Sequence, residues 1–134
     1  MKKEFAVEGM TLLVVGEIPS EGVTGVVAIV GLPDSKKRQK GNKVYLHDLS
    51  LLVSGVTAAG TAPPATTPDP LSINGNIQAS GSKTRDTITS KQLLRLDDET
   101  NIMTASPLTS GGTPVPVNFR VKIVDAGQTG WRGE

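Results

Sequence analysis

The only histidine of the chain, His47, stands beside a carboxylate, Asp48. An imidazole oriented by a carboxylate is half of a nucleophilic machine; the other half is a hydroxyl or thiol within hydrogen-bond reach. No serine lies in a Gly-x-Ser-x-Gly elbow, and Ser80-Gly81-Ser82 reads as a turn. A small hydrolase using His47 therefore ranks third among the functional expectations, and the plainer reading is a histidine beside a bulge. No catalytic residue is assigned.

Metal and nucleotide chemistry fare no better. One histidine and no cysteine exclude the usual zinc ligand sets. Asp97-Asp98-Glu99 with Asn101 gathers oxygen ligands but lacks the central glycine and terminal glutamate of a calcium-hand loop, so an acidic solvated turn is the better reading. Residues 31–41 lack the Gly-Lys-Ser/Thr ending that would place a lysine and a hydroxyl on a phosphate. No metal and no cofactor is expected. What remains is contact chemistry. Lys36, Lys37, Arg38, Lys40 and Lys43 crowd into one short stretch able to meet phosphates or an acidic protein surface, although a solvated loop is the default for such a run. Lys36, Lys37, Arg38 and Lys40, together with the apolar Val117, Phe119 and Val121, are the expected partner contacts.

The elements that must position these residues read as strands. Val115, Val117, Phe119, Val121 and Ile123 alternate with Pro116, Asn118, Arg120 and Lys122, the period of a strand with one face on a core. Residues 11–15 and 23–30 are β-branched and apolar; the second run is expected at the core or at a partner contact. Val44 and Leu46 are out of phase with Leu49, Leu51 and Val53, so a bulge or tight turn is expected at His47-Asp48. Ile73, Gly75, Ile77 and Ala79 share one phase. Residues 90–99 predict either a short helix capped by Ser90 or a strand entering an acidic turn. Residues 55–70, rich in proline, threonine and alanine, predict a long docked loop, because neither flank looks self-sufficient.

Composition agrees. The chain has 134 residues, enough for a single domain with a core of its own, and no cysteine for disulfide staples. Fifteen glycines and nine prolines favour turns over long helices. Fourteen lysines and arginines against thirteen aspartates and glutamates leave a net charge of +1, and Phe5, Tyr45, Phe119 and Trp131 are the only aromatic rings. Neither a basic field nor a stacking platform is present, so no nucleic-acid partner is expected. No apolar run approaches a membrane span, and neither a leader nor stable membrane insertion is expected. No repeat of fixed period is evident. The fold expected is an all-β single domain, residues 1–134, of short antiparallel strands and hairpins with long loops and at most one short helix.

Two stretches carry a family resemblance. Ile73-Asn74-Gly75-Asn76-Ile77-Gln78-Ala79-Ser80-Gly81-Ser82-Lys83, followed by Ile88-Thr89-Ser90-Lys91-Gln92-Leu93-Leu94-Arg95-Leu96-Asp97-Asp98-Glu99, resembles the PAAR-like proteins, with their strand, Gly-Ser turn, strand, and Leu-Leu-Arg-x-x-Asp run. Thr67-Pro68-Asp69-Pro70 is similar to the proline-rich entry of some of them. The resemblance covers about a third of the chain. It implies a small β cone that sharpens the trimeric β-helical spike of a type VI secretion system, phage tail or related contractile injection system. Such a part would assemble in the cytoplasm and end in a secreted or virion particle. Many relatives hold zinc near the point with histidines and a cysteine, which His47 alone cannot do, and the repeated Asn-Gly-Lys-Pro turns are missing. The chain would thus belong to a metal-free branch held by packing and hydrogen bonds. A virion decoration or tail-completion protein is the second expectation.

Overall fold

The structure, a computed structural model, describes residues 3–17, 22–30, 38–39, 42–80, 82–85, 91–128 and 132–133. Its strands are β1 (Lys3–Glu4), β2 (Thr11–Gly16), β3 (Val23–Ile29), β4 (Arg38–Gln39), β5 (Asn42–Lys43), β6 (Leu49–Ala58), β7 (Ile73–Gln78), β8 (Glu99–Thr100), β9 (Met103–Ala105), β10 (Val117–Asp125) and β11 (Arg132–Gly133). Among the described residues there is no helix, so none crosses a membrane. The chain is all-β. One antiparallel sheet runs in the order β2-β10-β8-β7-β6-β3, with β9 also on β10, and its two end strands return beside one another, so that the sheet curls into a nearly closed barrel.

Alternation decides which faces fill the barrel. Val117, Phe119, Val121 and Ile123 on β10 and Leu49, Leu51 and Val53 on β6 are buried, while their neighbours in sequence reach water. Each large aliphatic or aromatic side chain so buried contributes roughly 1.5–3 kcal/mol. The expected phase slip is a tight turn at His47-Asp48, with Asp48 at φ 66°. Residues 91–99 follow the extended alternative: Gln92, Leu93 and Arg95 make strand bridges, and the chain then turns at Asp97, φ 73°. The proposed cap, Ser90, lies outside the described residues.

One expectation needs correction. The loop expected at 55–70 begins later, because β6 runs on to Ala58; its positive-φ Gly55 lies within the strand. The remainder is docked. Ala65 is fully buried and exchanges hydrogen bonds with Ala58, Thr67 bridges Leu108, and the Asp69 carboxylate accepts from the amides of Leu71 (2.8 Å) and Ser106 (2.8 Å). Residues 23–30, the most apolar run, form the edge strand β3 and the residue after it, with Val23 buried and Val26 66% and Val30 61% exposed. Apolar content forecast strand; position at the end of the sheet decided exposure.

The core is divided by a ring of backbone. Three segments, residues 5–7, 44–46 and 93–95, close on each other: the amide of Ala6 donates to Leu94 O (2.9 Å), that of Leu94 to Tyr45 O (3.0 Å), and that of Tyr45 to Ala6 O (3.0 Å). The bridges Phe5↔Arg95, Val7↔Val44 and Leu46↔Leu93 run around it in the same sense. Ala6, Tyr45 and Leu94 belong to the main core; Phe5, Val7, Val44, Leu46 and Leu93 form a second, smaller core. Phe5 lies directly over Gly133, where a side chain would displace the ring.

The flanks of the ring repeat too. Each ring segment is followed by a positive-φ residue at the same offset: Gly9 (95°), Asp48 (66°) and Asp97 (73°). Each is preceded by a two-stranded ribbon: β1 with β11, β4 with β5, and residue 92 with residue 85. Each then enters an outgoing strand that pairs with its own incoming strand in one register, Leu12↔Ile123, Leu51↔Ile29 and Thr100↔Ile77. The chain is therefore three copies of one unit (strand, ribbon, ring segment, turn, strand) around a pseudo-threefold axis.

The junctions between units are unequal. At two of them the turn amide donates to the isoleucine of the next unit, Asp48 N to Ile77 O (2.9 Å) and Asp97 N to Ile123 O (3.0 Å), and a ladder follows. At the third, β2 against β3, no such bond joins Gly9 to Ile29 and no ladder forms, and an open groove of about 400 Å³ lined by Leu12, Leu13, Val14, Gly25, Val27 and Ile29 lies there. A circular permutant can test this. With residues 134 and 1 joined through a short flexible linker and new ends opened between residues 17 and 22, urea unfolding is expected to stay within about 1–2 kcal/mol of the parent. Opening the docked loop at residue 66 instead, beside buried Ala65, is expected to cost more.

Candidate functional site

The three ribbons continue the pseudo-symmetry outward from the ring, and here the sequence repeats as well. The residue paired with Glu4 is Arg132, that paired with Lys43 is Arg38, and that paired with Gln92 is Arg85. Glu4, Lys43 and Gln92 each directly precede a ring segment, so the three arginines occupy one equivalent position. They also stand at equal spacing in the chain, 47 residues in both steps. Arg85 is exposed, and the Arg132 side chain is 56% accessible while reaching Glu4 at 3.2 Å. The arginine of this pair is open and its carboxylate, Glu4, is 18% accessible; such a pair near the surface contributes about 0–1 kcal/mol.

Charge is concentrated on the ribbons. Among the described residues, Lys3, Arg132, Arg38, Lys43, Arg85 and Lys91 lie on or directly beside ribbon positions, against one carboxylate, Glu4. The whole chain carries only +1, so the remainder is acidic by comparison. Of the basic run singled out from the sequence, Arg38 and Lys43 thus form one of three related ribbons, while Lys36, Lys37 and Lys40 lie outside the described residues. Arg85 and Arg132 were missed because neither lies in a run of basic residues, Arg85 standing beside Asp86 in a polar turn and Arg132 between Trp131 and Gly133; the equal spacing of the three arginines was the available signal.

Beneath the ribbons the ring is held by two polar devices. Asp98 is fully buried and accepts from the amide of Arg95 (2.7 Å), the amide of Ser80 (3.2 Å) and the Ser80 hydroxyl. Arg95 takes the place in the second core that Val7 and Leu46 fill in the other units; its guanidinium donates to Gly133 O (3.2 Å) and, at a long 3.5 Å, to Ser80 O. The C-terminal ribbon is thereby tied to the turn that follows β7. The third polar group is the phenol of Tyr45, 7% exposed, which burial, with a smaller contribution from the Glu8 carboxylate, holds above the ordinary tyrosine value of 10.0. A raised value favours the neutral phenol in the folded state. This phenol therefore leaves stability unchanged well below pH 10 and lowers it as pH climbs past 10 toward the folded value. As the chain has one tyrosine, absorbance at 295 nm is expected to show phenolate appearing later than in free tyrosine and together with loss of the β-sheet circular dichroism.

The other candidates resolve structurally. Val117, Phe119 and Val121, expected to touch a partner, are 1%, 0% and 0% exposed and belong to the main core; their alternation marked a buried face, not a docking face. His47 Nδ1 accepts from the Ala79 amide (2.9 Å) and its Nε2 lies 3.7 Å from Asp48 Oδ1, beyond hydrogen-bond reach. The imidazole thereby ties a turn to the end of β7. Asp97 meets Lys3 (3.8 Å) and Lys122 (3.6 Å) at the surface. Among the described residues no three acidic or histidine side chains gather around a possible metal position.

A second groove, about 390 Å³, arises from a bulge. Glu99 faces Lys122 and Met103 faces Phe119, so three residues, 100–102, stand against two of β10. The Thr100 hydroxyl takes the Val121 amide (3.0 Å) there. Asn101 and Ile102 swing outward, and Asn74, Asn76 and Met103 line the notch left behind. Comparison with known protein families, curated proteins and solved structures finds no match for this chain.

Proposed function

We propose that this chain is a structural cap that seats on the end of a homotrimeric β-helical spike in a contractile injection particle, as the PAAR-like resemblance of its sequence implies. One observation carries the reading: the closed ring through Ala6, Tyr45 and Leu94, with its three equivalent flanking units. The end of a homotrimer offers three identical patches around one axis. A single chain engages all three through equivalent contacts only if it repeats its own surface three times about that axis. The second and third contacts then form within one complex and raise avidity without new chemistry. The ring also suits a part that must stay rigid, since its segments are hydrogen-bonded to each other and packed on both faces. The reading assigns no reaction to the chain.

The test is stoichiometry. The purified chain is mixed with a candidate trimeric spike, chosen from the genes that neighbour its own, and weighed by native mass spectrometry. One copy per trimer is expected. Three copies per trimer, or lateral assembly in many copies as for a decoration protein, would remove the cap reading.

A further inference from the structure

Resting on the cap reading, we infer that the ribbon end is the docking face and that Arg38, Arg85 and Arg132 each meet an equivalent acidic patch on the three chains of the partner. Two independent facts point there. The three arginines share one register position in three symmetry-related ribbons. Among the described residues the same ribbons collect six cations against one carboxylate, in a chain whose net charge is +1. In sequence, Lys2, Lys36, Lys37 and Lys40 adjoin these strands, against Asp86 and Glu134. Arginine is well matched to such a contact. Its planar fork binds a carboxylate through two parallel hydrogen bonds and is weakly hydrated, so docking sacrifices little solvation. A partner with one acidic cluster per chain, repeated by a threefold axis, satisfies all three forks together; a single acidic strand satisfies one.

The probe is a designed parallel trimeric coiled coil whose chains each end in a run of glutamates. It is compared with the same trimer ending in glutamine, with the acidic strand as a monomer, and with a DNA duplex, by fluorescence anisotropy at several salt concentrations. The acidic trimer is expected to bind one chain per trimer, about 10-fold or more tighter than either the glutamine trimer or the monomer, and to weaken with salt. Arg38→Gln, Arg85→Gln and Arg132→Gln are each expected to lower affinity by a similar factor, roughly 3- to 10-fold, and to flatten the salt dependence. Arg120→Gln, on β10 away from the ribbons, is expected to leave binding unchanged. Thermal unfolding of all four variants within a few degrees of the parent excludes misfolding as the cause.

The failures are distinct. One-to-one binding of the glutamine trimer, equal to that of the acidic trimer and indifferent to the arginines, overturns the arginine inference while the cap reading stands. Acidic monomers binding as tightly as the trimer, several per chain, overturn the threefold reading itself. Tighter binding of the duplex, a loss confined to one arginine, or no binding to any probe overturns the inference.

Discussion

Replacing Asp98 by alanine is expected to destabilise the chain by about 3–5 kcal/mol, seen as a lower urea midpoint at unchanged slope. The size follows from what the carboxylate serves. It is fully buried and accepts three hydrogen bonds, from the Arg95 amide, the Ser80 amide and the Ser80 hydroxyl. Alanine leaves the buried Arg95 amide without an acceptor, at a cost of about 1–3 kcal/mol before relaxation, while the donors of exposed Ser80 lose a partner but can turn to water. It also releases the turn that carries Asp97, whose amide holds Ile123 of the next unit. Asparagine separates these effects. Its carbonyl can keep the Ser80 pair, but its amide group then points a donor at the Arg95 donor. Asp98→Asn is expected to fall between parent and alanine, and Ser80→Ala to cost about 1–2 kcal/mol. Equal stability of the parent and Asp98→Ala would mean that the ring does not depend on this turn.

This network shows where sequence reading reaches its limit. Asp97-Asp98-Glu99 was legible as an acidic turn, and the turn is there, but its middle residue is a buried strut and not a solvated charge. The type and spacing of a carboxylate say nothing of what the chain brings over it, and Ser80 arrives from the turn after β7. Local features were more open. The alternation over residues 115–123 gives β10 and its buried face, and the slip between Leu46 and Leu49 gives the turn at Asp48, because both rest on a period of two. The pseudo-threefold arrangement was hidden for two reasons. Its ring segments are unequally spaced, and they share almost no residue types: Phe5-Ala6-Val7, Val44-Tyr45-Leu46 and Leu93-Leu94-Arg95 have in common only backbone geometry. Glycine at position 9 and aspartates at 48 and 97 are all able to hold positive φ, and that is a conformational kinship invisible to a comparison of letters. The exposure of β3 was beyond reach for a third reason: whether an apolar strand is central or at an edge depends on which strands arrive on either side of it.

Phe119 separates the two meanings of an apolar strand most sharply. Phe119→Ala is expected to cost about 3–5 kcal/mol and to lower the melting temperature by something on the order of 10–20 °C. The ring is fully buried on β10, where its residue faces Met103 of β9 on one side and Gly16 of β2 on the other, so its loss opens a cavity between strands of two units. Val26→Ala is the matched control. Val26 is also an apolar strand residue, but it is 66% exposed on the unpaired side of the sheet, and its truncation is expected to change stability by no more than about 0.5 kcal/mol. The two variants also divide the routes to a partner. If Phe119 served a docking face, its truncation would weaken binding and leave the melting temperature alone. Burial requires the reverse order, with fold stability lost first and any weakening of binding accounted for by the fraction unfolded. A Phe119→Ala chain that melts with the parent yet fails to seat on the acidic trimer would return this face of β10 to the surface and take the ribbon end out of the docking role.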